Sequence, residues 1–460
     1  MTRARWLGLG FLAAVVIAGS IWALTPATRF VVGSVPSGDG EAILLTRRND
    51  DASWFWVELV AADGTLRWST EITPVEGAEA LGYTGATATT DAVLVLGTRL
   101  GEPSVAVVLA LSRSDGHPLW ETTLSGAVTN SGAGRIGPML LADAERAFVV
   151  NEVQGADGLL HDRIDVLSLA TGAALWESAA LDGAPYDYGL DVSLIGADRL
   201  LVSGRFGSTA VELDRASGAI RRSIEGAGFV CRLPDRWIGA TRGGAVAVPI
   251  AAGEPVVSLP IASGWRVALN APCGARGDDL IVGLASDDGV GITRLDPATG
   301  LAAWHLPLAT GDFAGDAVLD GPLPRFLPVV IRGAGVPRQE LVVVDLDEGR
   351  IADRVDYSDS SAVLVSSGRA WLWLTSRAVL VAVDPDTGRL AGATAYPGAS
   401  TFDARAEDIR EGQLWIMGST WARPADLPWV VVDLETGHLS GSNGGMVAAE
   451  VVGQVLTPGE

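Results

Sequence analysis

Short apolar runs rich in valine and leucine recur along most of the chain, and clusters of Gly, Asp, Thr and Ser cut them apart. Val342-Val343-Val344 and Val430-Val431-Val432 are the plainest. Runs of β-branched residues fit strands buried on both faces. Elsewhere apolar positions alternate with polar ones: Trp54 and Trp56, or Trp371 and Trp373, stand two apart and share one face of a strand. The interval from Arg350 to Val383 divides into four such strands with short turns, RIADRVD, SAVLVSSG, RAWLWLTS and AVLVAV. The pattern predicts an all-β chain.

One stretch, RLDPATGLAAW from Arg294 to Trp304, shows how the strands are joined. A strand runs into Asp-Pro-Ala-Thr-Gly, and a second strand follows. Relatives of this hairpin include ELVAADGTLRW, ALSRSDGHPLW, LSLATGAALW, VELDRASGAI, VVVDLDEGRI, VAVDPDTGRL and VVVDLETGHL. The turn glycines are Gly64, Gly116, Gly172, Gly218, Gly300, Gly349, Gly388 and Gly437. Glycine suits a turn position with positive φ, where no Cβ clashes. Asp or Ser stands four residues earlier at Ser112, Ser168, Asp214, Asp296, Asp345, Asp384 and Asp433, where its oxygen can accept N–H bonds of the turn. Trp68, Trp120, Trp176 and Trp304 stand four residues after their glycines. Burying one contributes up to roughly 4–6 kcal/mol by apolar area.

A hairpin cannot bury such a face alone, so the units must pack on each other. Counting the degenerate VPIAAGEPV around Gly253, the glycines recur about every 47 residues, with several strands per period, which points to a β-propeller. The pattern ALDxxTGxxxW resembles the PQQ-like (quinoprotein-type) propeller repeat, found in bacterial pyrroloquinoline-quinone dehydrogenases and in the outer-membrane assembly lipoprotein BamB. The resemblance covers nearly everything after the N-terminal segment. It implies a propeller, and it leaves the activity open because the same repeat serves enzymes and non-enzymes. The glycine turns number about nine, whereas propellers usually have four to eight blades. The expectation is eight blades with one accessory hairpin, and nine is the alternative. The final apolar segment MVAAEVVGQVLTP is expected to pair into the first blade and close the ring.

The N-terminus reads differently. Arg3 and Arg5 precede an uncharged apolar run from Trp6 to Leu24. Such a run spans a bilayer as a helix, and the basic residues before it keep the N-terminus cytoplasmic. The division is therefore 1–28 as a signal anchor or transmembrane segment and 29–460 as one propeller domain on the extracytoplasmic side. Secretion after signal cleavage is the alternative. No cysteine ends the apolar run, so lipid attachment of the BamB kind is not supported.

The formal charge of −22 would repel nucleic acid and favours solubility. The two cysteines, Cys231 and Cys273, fall at similar places in neighbouring blades, so a disulfide between them and two buried thiols both remain open. The four histidines, His117, His161, His305 and His438, are scattered over hairpin positions. Gly132, Gly134 and Gly137 spell G-x-G-x-x-G, but a strand pattern follows, so no helix N-terminus awaits a phosphate. The acidic pairs Asp50-Asp51, Asp278-Asp279 and Asp287-Asp288 lack the oxygen ladder of a calcium loop. No catalytic, cofactor-binding or metal-binding residue is assigned. PQQ enzymes hold their cofactor partly against a ring formed by two adjacent cysteines, with calcium near it. Here the cysteines are far apart, so the resemblance implies the scaffold without the cofactor. The expected role is a protein-interaction scaffold with envelope or membrane protein partners. A PQQ-dependent dehydrogenase or another channel-mouth enzyme is the alternative.

Overall fold

Strands that are apolar on both faces need a sheet on either side, and the chain arranges them in a ring that supplies one. The structure, a computed structural model, describes residues 29–441 apart from connecting segments between some strands, the longest being 126–139, 179–189, 396–404 and 418–428. The apolar N-terminal run, the expected closing strand after residue 441, Gly64, Gly253, Gly437, His438, Asp50-Asp51 and the glycines at 132–137 lie outside the described residues. Every regular element described is a strand. None is a helix long and apolar enough to cross a membrane.

The strands form nine sheets among the described residues, here called blades 1 to 9: 29–72, 80–123, 140–177, 190–224, 228–260, 266–309, 312–357, 361–395 and 405–441. Within a blade the strands follow one another antiparallel, from an inner strand to an outer one. The inner strands of blades 1, 2 and 3 lie side by side, and the inner strand of blade 9, Arg405–Arg410, lies beside that of blade 1, Arg29–Gly38. The ring closes there. The expectation of eight blades and an accessory hairpin does not match this count of nine sheets. Each repeat hairpin has a whole sheet of its own, the one joining Gly244–Pro249 to Val257–Pro260 included, because every hairpin brings two further strands that also need partners.

Burial follows the apolar pattern. The third strands Phe55–Ala61 and Val105–Ser112 are buried almost throughout, while outer strands such as Pro118–Thr123 and Ile220–Ile224 are mostly exposed. The apolar core lies between blades. Ile43, Leu45 and Val57 of blade 1 pack with Val93, Leu109 and Leu111 of blade 2. Phe148 and Ile164 of blade 3 pack with Leu200 and Leu213 of blade 4.

The repeat turn joins the third strand to the outer one, and its parts behave as their chemistry dictates. The N–H of Gly218 donates to the Asp214 carbonyl at 2.8 Å, and Asp214 Oδ1 accepts the N–H groups of Ala216 and Ser217 at 3.0 and 2.9 Å. Gly116 has φ +74°, and a Cβ there would lie 2.5 Å from the Trp68 ring of the preceding blade. Gly172 and Gly218 face Trp120 and Trp176 in the same way, and Gly349 faces Trp304. The indole N–H completes the joint: Trp68 Nε1 donates to the Arg113 carbonyl at 2.7 Å, Trp120 to Leu169 at 2.7 Å and Trp176 to Arg215 at 3.1 Å. Each tryptophan thus serves the turn of the next blade, one repeat further along.

Blades 7 and 8 depart from the scheme. The inner strand of blade 7 is only Asp312–Phe313. The chain then runs Asp316–Asp320 in parallel beside Ser361–Ser366, the first of blade 8's own four strands. It returns through Leu323, which is buried, donates its N–H to the Ala275 carbonyl of blade 6 at 2.8 Å and packs over Gly274. One short segment therefore straps three blades together.

Gly116→Ala is expected to cost roughly 2–4 kcal/mol, from a strained positive φ plus overpacking on Trp68. Gly226→Ala shares the positive φ (+73°) but meets nothing within 4 Å, and is expected to cost only about 1 kcal/mol. Urea unfolding midpoints of the two variants check this difference.

Candidate functional site

Chain direction gives the ring two distinct faces. The turn face carries the repeat turns and the turns from inner to second strand. The crossover face carries the links from one blade to the next and the turns from second to third strand. The inner strands line the axis between them.

Those inner strands offer little chemistry. Their described side chains are largely small or apolar, as in Leu140–Ala142, Gly228–Arg232 and Cys273–Arg276, and the one carboxylate among them is the exposed Asp312. Calcium takes six to eight oxygen ligands, and the described side chains of these strands offer few. Among the described residues no group of His, Cys, Asp and Glu is arranged to hold a metal. A disulfide joins Cys231 on the inner strand of blade 5 to Cys273 on that of blade 6, with Cα atoms 5.8 Å apart. It ties two strands separated by 42 positions. It is not a ring of adjacent cysteines.

The three described histidines lie in separate blades or on separate strands. His117 is exposed in the turn of blade 2 and meets Asp115 at 2.7 Å. His161 lies at the crossover end of blade 3. His305 is on the outer strand of blade 6, edge-on to Trp265 at 4.6 Å between ring centroids, and burial pushes its pKa down. Neither His117 nor His305 has a nucleophile or a second histidine in hydrogen-bond reach among the contacts described. Asp287 and Asp288 form a hairpin turn closed by Ser286, whose Oγ accepts the Asp288 N–H at 3.3 Å. Asp279 pairs with Arg294 at 2.7 Å. The strands Leu140–Ala142 and Arg146–Gln154 follow the G-x-G-x-x-G glycines, as the sequence reading expected.

What the structure does assemble is a set of polar joints between blades, and sequence reasoning missed most of them. All 33 basic side chains are arginine, none lysine, and the planar guanidinium is suited to two-point binding. Arg276 of blade 6 grips Asp347 of blade 7 through Nε and Nη2 at 2.9 and 2.8 Å. Arg113 of blade 2 reaches Glu41 of blade 1 at 3.2 Å, and Arg215 of blade 4 binds Asp143 of blade 3. A deeper joint centres on Glu212, which is buried; it accepts from Arg199 at 3.1 Å and from the Trp237 indole of blade 5 at 2.9 Å. At the crossover face the buried Asn151 donates to Asp165 at 2.9 Å and to the Ser125 carbonyl at 3.2 Å, which fixes the link from blade 2 to blade 3. The only sequence signal for these joints was a charged or amide residue inside an apolar strand, as in VELD.

Two carboxylates of the turn face, Asp214 and Asp345, are held in their charged form. Asp214 lies at a pKa of about 2, chiefly because Arg221 donates to it, with Ser217 adding a second bond. At Asp345, burial pushes the pKa up, but Arg325 and the N–H groups of Glu348 and Asp347 outweigh it and hold the carboxyl below its usual range.

The geometry is that of a β-propeller whose repeats interlock tryptophan on glycine. The sequence model described as Outer membrane protein assembly factor BamB matches residues 55–228, rather more than a third of the chain, so that stretch carries PQQ-like repeats. No curated protein matches. Similar solved structures include BamB from Moraxella catarrhalis, with 13% identity and TM-score 0.41, covering 85% of this chain and 95% of that one. Another is the dihydro-heme d1 dehydrogenase NirN, with 16% identity and TM-score 0.44, covering 80% and 73%. A europium-containing methanol dehydrogenase matches with 11% identity and TM-score 0.40, covering 88% and 84%. At these values the likenesses bear on neither activity nor partner.

Two outcomes follow. A carboxyl whose folded pKa is depressed stabilises the fold above its unfolded pKa, and that contribution is lost as pH falls through the folded value. Stability is therefore expected to hold level above about pH 5 and to decline below about pH 4, and Asp345→Asn should flatten the decline. Urea unfolding from pH 6 to pH 2 measures both slopes. Separately, the Cys231–Cys273 crosslink closes a loop of 42 residues, worth up to about 4 kcal/mol by chain entropy. Cys231→Ser with Cys273→Ser should lower the unfolding temperature, and reductant should do the same to the native protein but leave the double variant unchanged.

Proposed function

We propose that this chain is a membrane-tethered or exported β-propeller that serves as a protein-interaction scaffold in the cell envelope. The observation that carries the reading is what the joints are used for. Several buried polar groups and arginines of the described residues link blade to blade, others tie strands within one blade, and among the described residues no group of His, Cys, Asp and Glu is arranged to hold a metal. Such a molecule offers rigid surfaces rather than a reaction centre. The match of residues 55–228 to the BamB sequence model supports the same class of role, since that family is described by a part in protein assembly. The disulfide suits an oxidising compartment beyond the cytoplasm. The apolar run from Trp6 to Leu24 supplies the tether.

The test is photo-crosslinking of the full chain in its own membranes, followed by mass spectrometry. Amine-reactive reagents are unsuited, because without lysine only the N-terminal amine can react. One or a few recurrent envelope proteins are expected. A lone ring that reduces dye with alcohols or sugars once PQQ and calcium are added would overturn the scaffold in favour of the quinoprotein reading.

A further inference from the structure

The chain enters the ring at a place that fixes its orientation. Arg29 opens the innermost strand of blade 1, and its register partner is Arg48, at the end of the second strand. That end belongs to the crossover face; the opposite end, where Gly38 pairs with Glu41, belongs to the turn face. Five residue steps separate Leu24, the end of the apolar run, from Arg29. They reach about 17 Å even when fully extended. The strand Glu41–Arg48 spans 8 residues, so the turn face stands about 25 Å beyond the crossover face. A tether that short, attached beside the axis, leaves little room for the ring to turn over.

We propose that the ring stands on the membrane with its crossover face toward the lipid and its turn face toward the aqueous compartment. Soluble partners then meet the turn face. This rests on the tethered reading above. Exposed carboxylates stand on both faces, with Asp287, Asp288 and Glu177 on the crossover face. Exposed carboxylates occupy the turn between first and second strands in five consecutive blades: Asp91, Glu145, Asp198, Asp235 and Asp278. Some pair with arginines, as Asp198 does with Arg221 and Asp235 with Arg236, yet all five remain open to solvent. The face turned to the aqueous compartment thus presents an arc of five carboxylates to a soluble partner.

Two single-cysteine variants test it in the full chain. Ala144→Cys lies on the turn face of blade 3, and Ala262→Cys lies on the crossover between blades 5 and 6; both positions are exposed. The native cysteines are bonded to each other, so only the new thiol takes a maleimide fluorophore. Each labelled protein is reconstituted into phosphatidylcholine vesicles that carry a nitroxide on some headgroups, a short-range quencher. The expected result is several-fold stronger quenching at Ala262→Cys than at Ala144→Cys. Equal quenching, or the reverse order, in protein that floats with the vesicles overturns the orientation and leaves the tether standing. Protein that fails to float with the vesicles overturns the tether and the orientation with it.

Discussion

The fold depends on an indole ring lying on a residue that has no side chain. Trp68, Trp120 and Trp176 each cover the turn glycine of the following blade and donate to a carbonyl one position past that turn's Ser or Asp. Two requirements meet at one atom position. The turn demands a positive φ, and the neighbouring blade demands empty space where Cβ would stand. Glycine alone meets both. The joint thus couples local turn chemistry to the spacing between blades, and it repeats because every blade has to lean on the next.

Where the tryptophan is absent the ring finds substitutes. Blade 5 offers Pro260 and the Ser258 carbonyl to Gly300, and Phe326 of blade 7 covers Gly388. Where the indole is present but its acceptor is taken, the packing survives alone: Trp304 still covers Gly349, while the Leu346 carbonyl accepts from Arg294. Packing is therefore the constant part of the joint and the hydrogen bond the variable part. Burial of a ring of this size is worth several times a single net hydrogen bond, which explains the order.

The polar joints add specificity that apolar burial lacks. Valine and leucine faces fit one another in many registers. A buried Glu212 that must meet both Arg199 and Trp237 fits in few. The strap from Asp316 to Leu323 does similar work in backbone hydrogen bonds, holding blades 6, 7 and 8 in one relation. A ring with two unlike faces is the consequence.

The sequence by itself determined the strands, the turns and the repeat. These are set by residues close along the chain: β-branched runs, an Asp or Ser four positions before a glycine, and alternation such as Trp371 and Trp373. It also carried the count of nine turns, although the usual size of propellers argued for eight blades. The tertiary structure alone decided which partner each residue takes. The tryptophan and glycine of one hairpin look paired on paper, yet each works with a neighbouring blade, because a sheet's outer strand faces the next sheet rather than its own turn. The same holds for Glu212 with Trp237 and for Leu323 with Gly274. Contacts between residues one repeat apart are set by how wedge-shaped sheets fill a circle, and no local pattern records that.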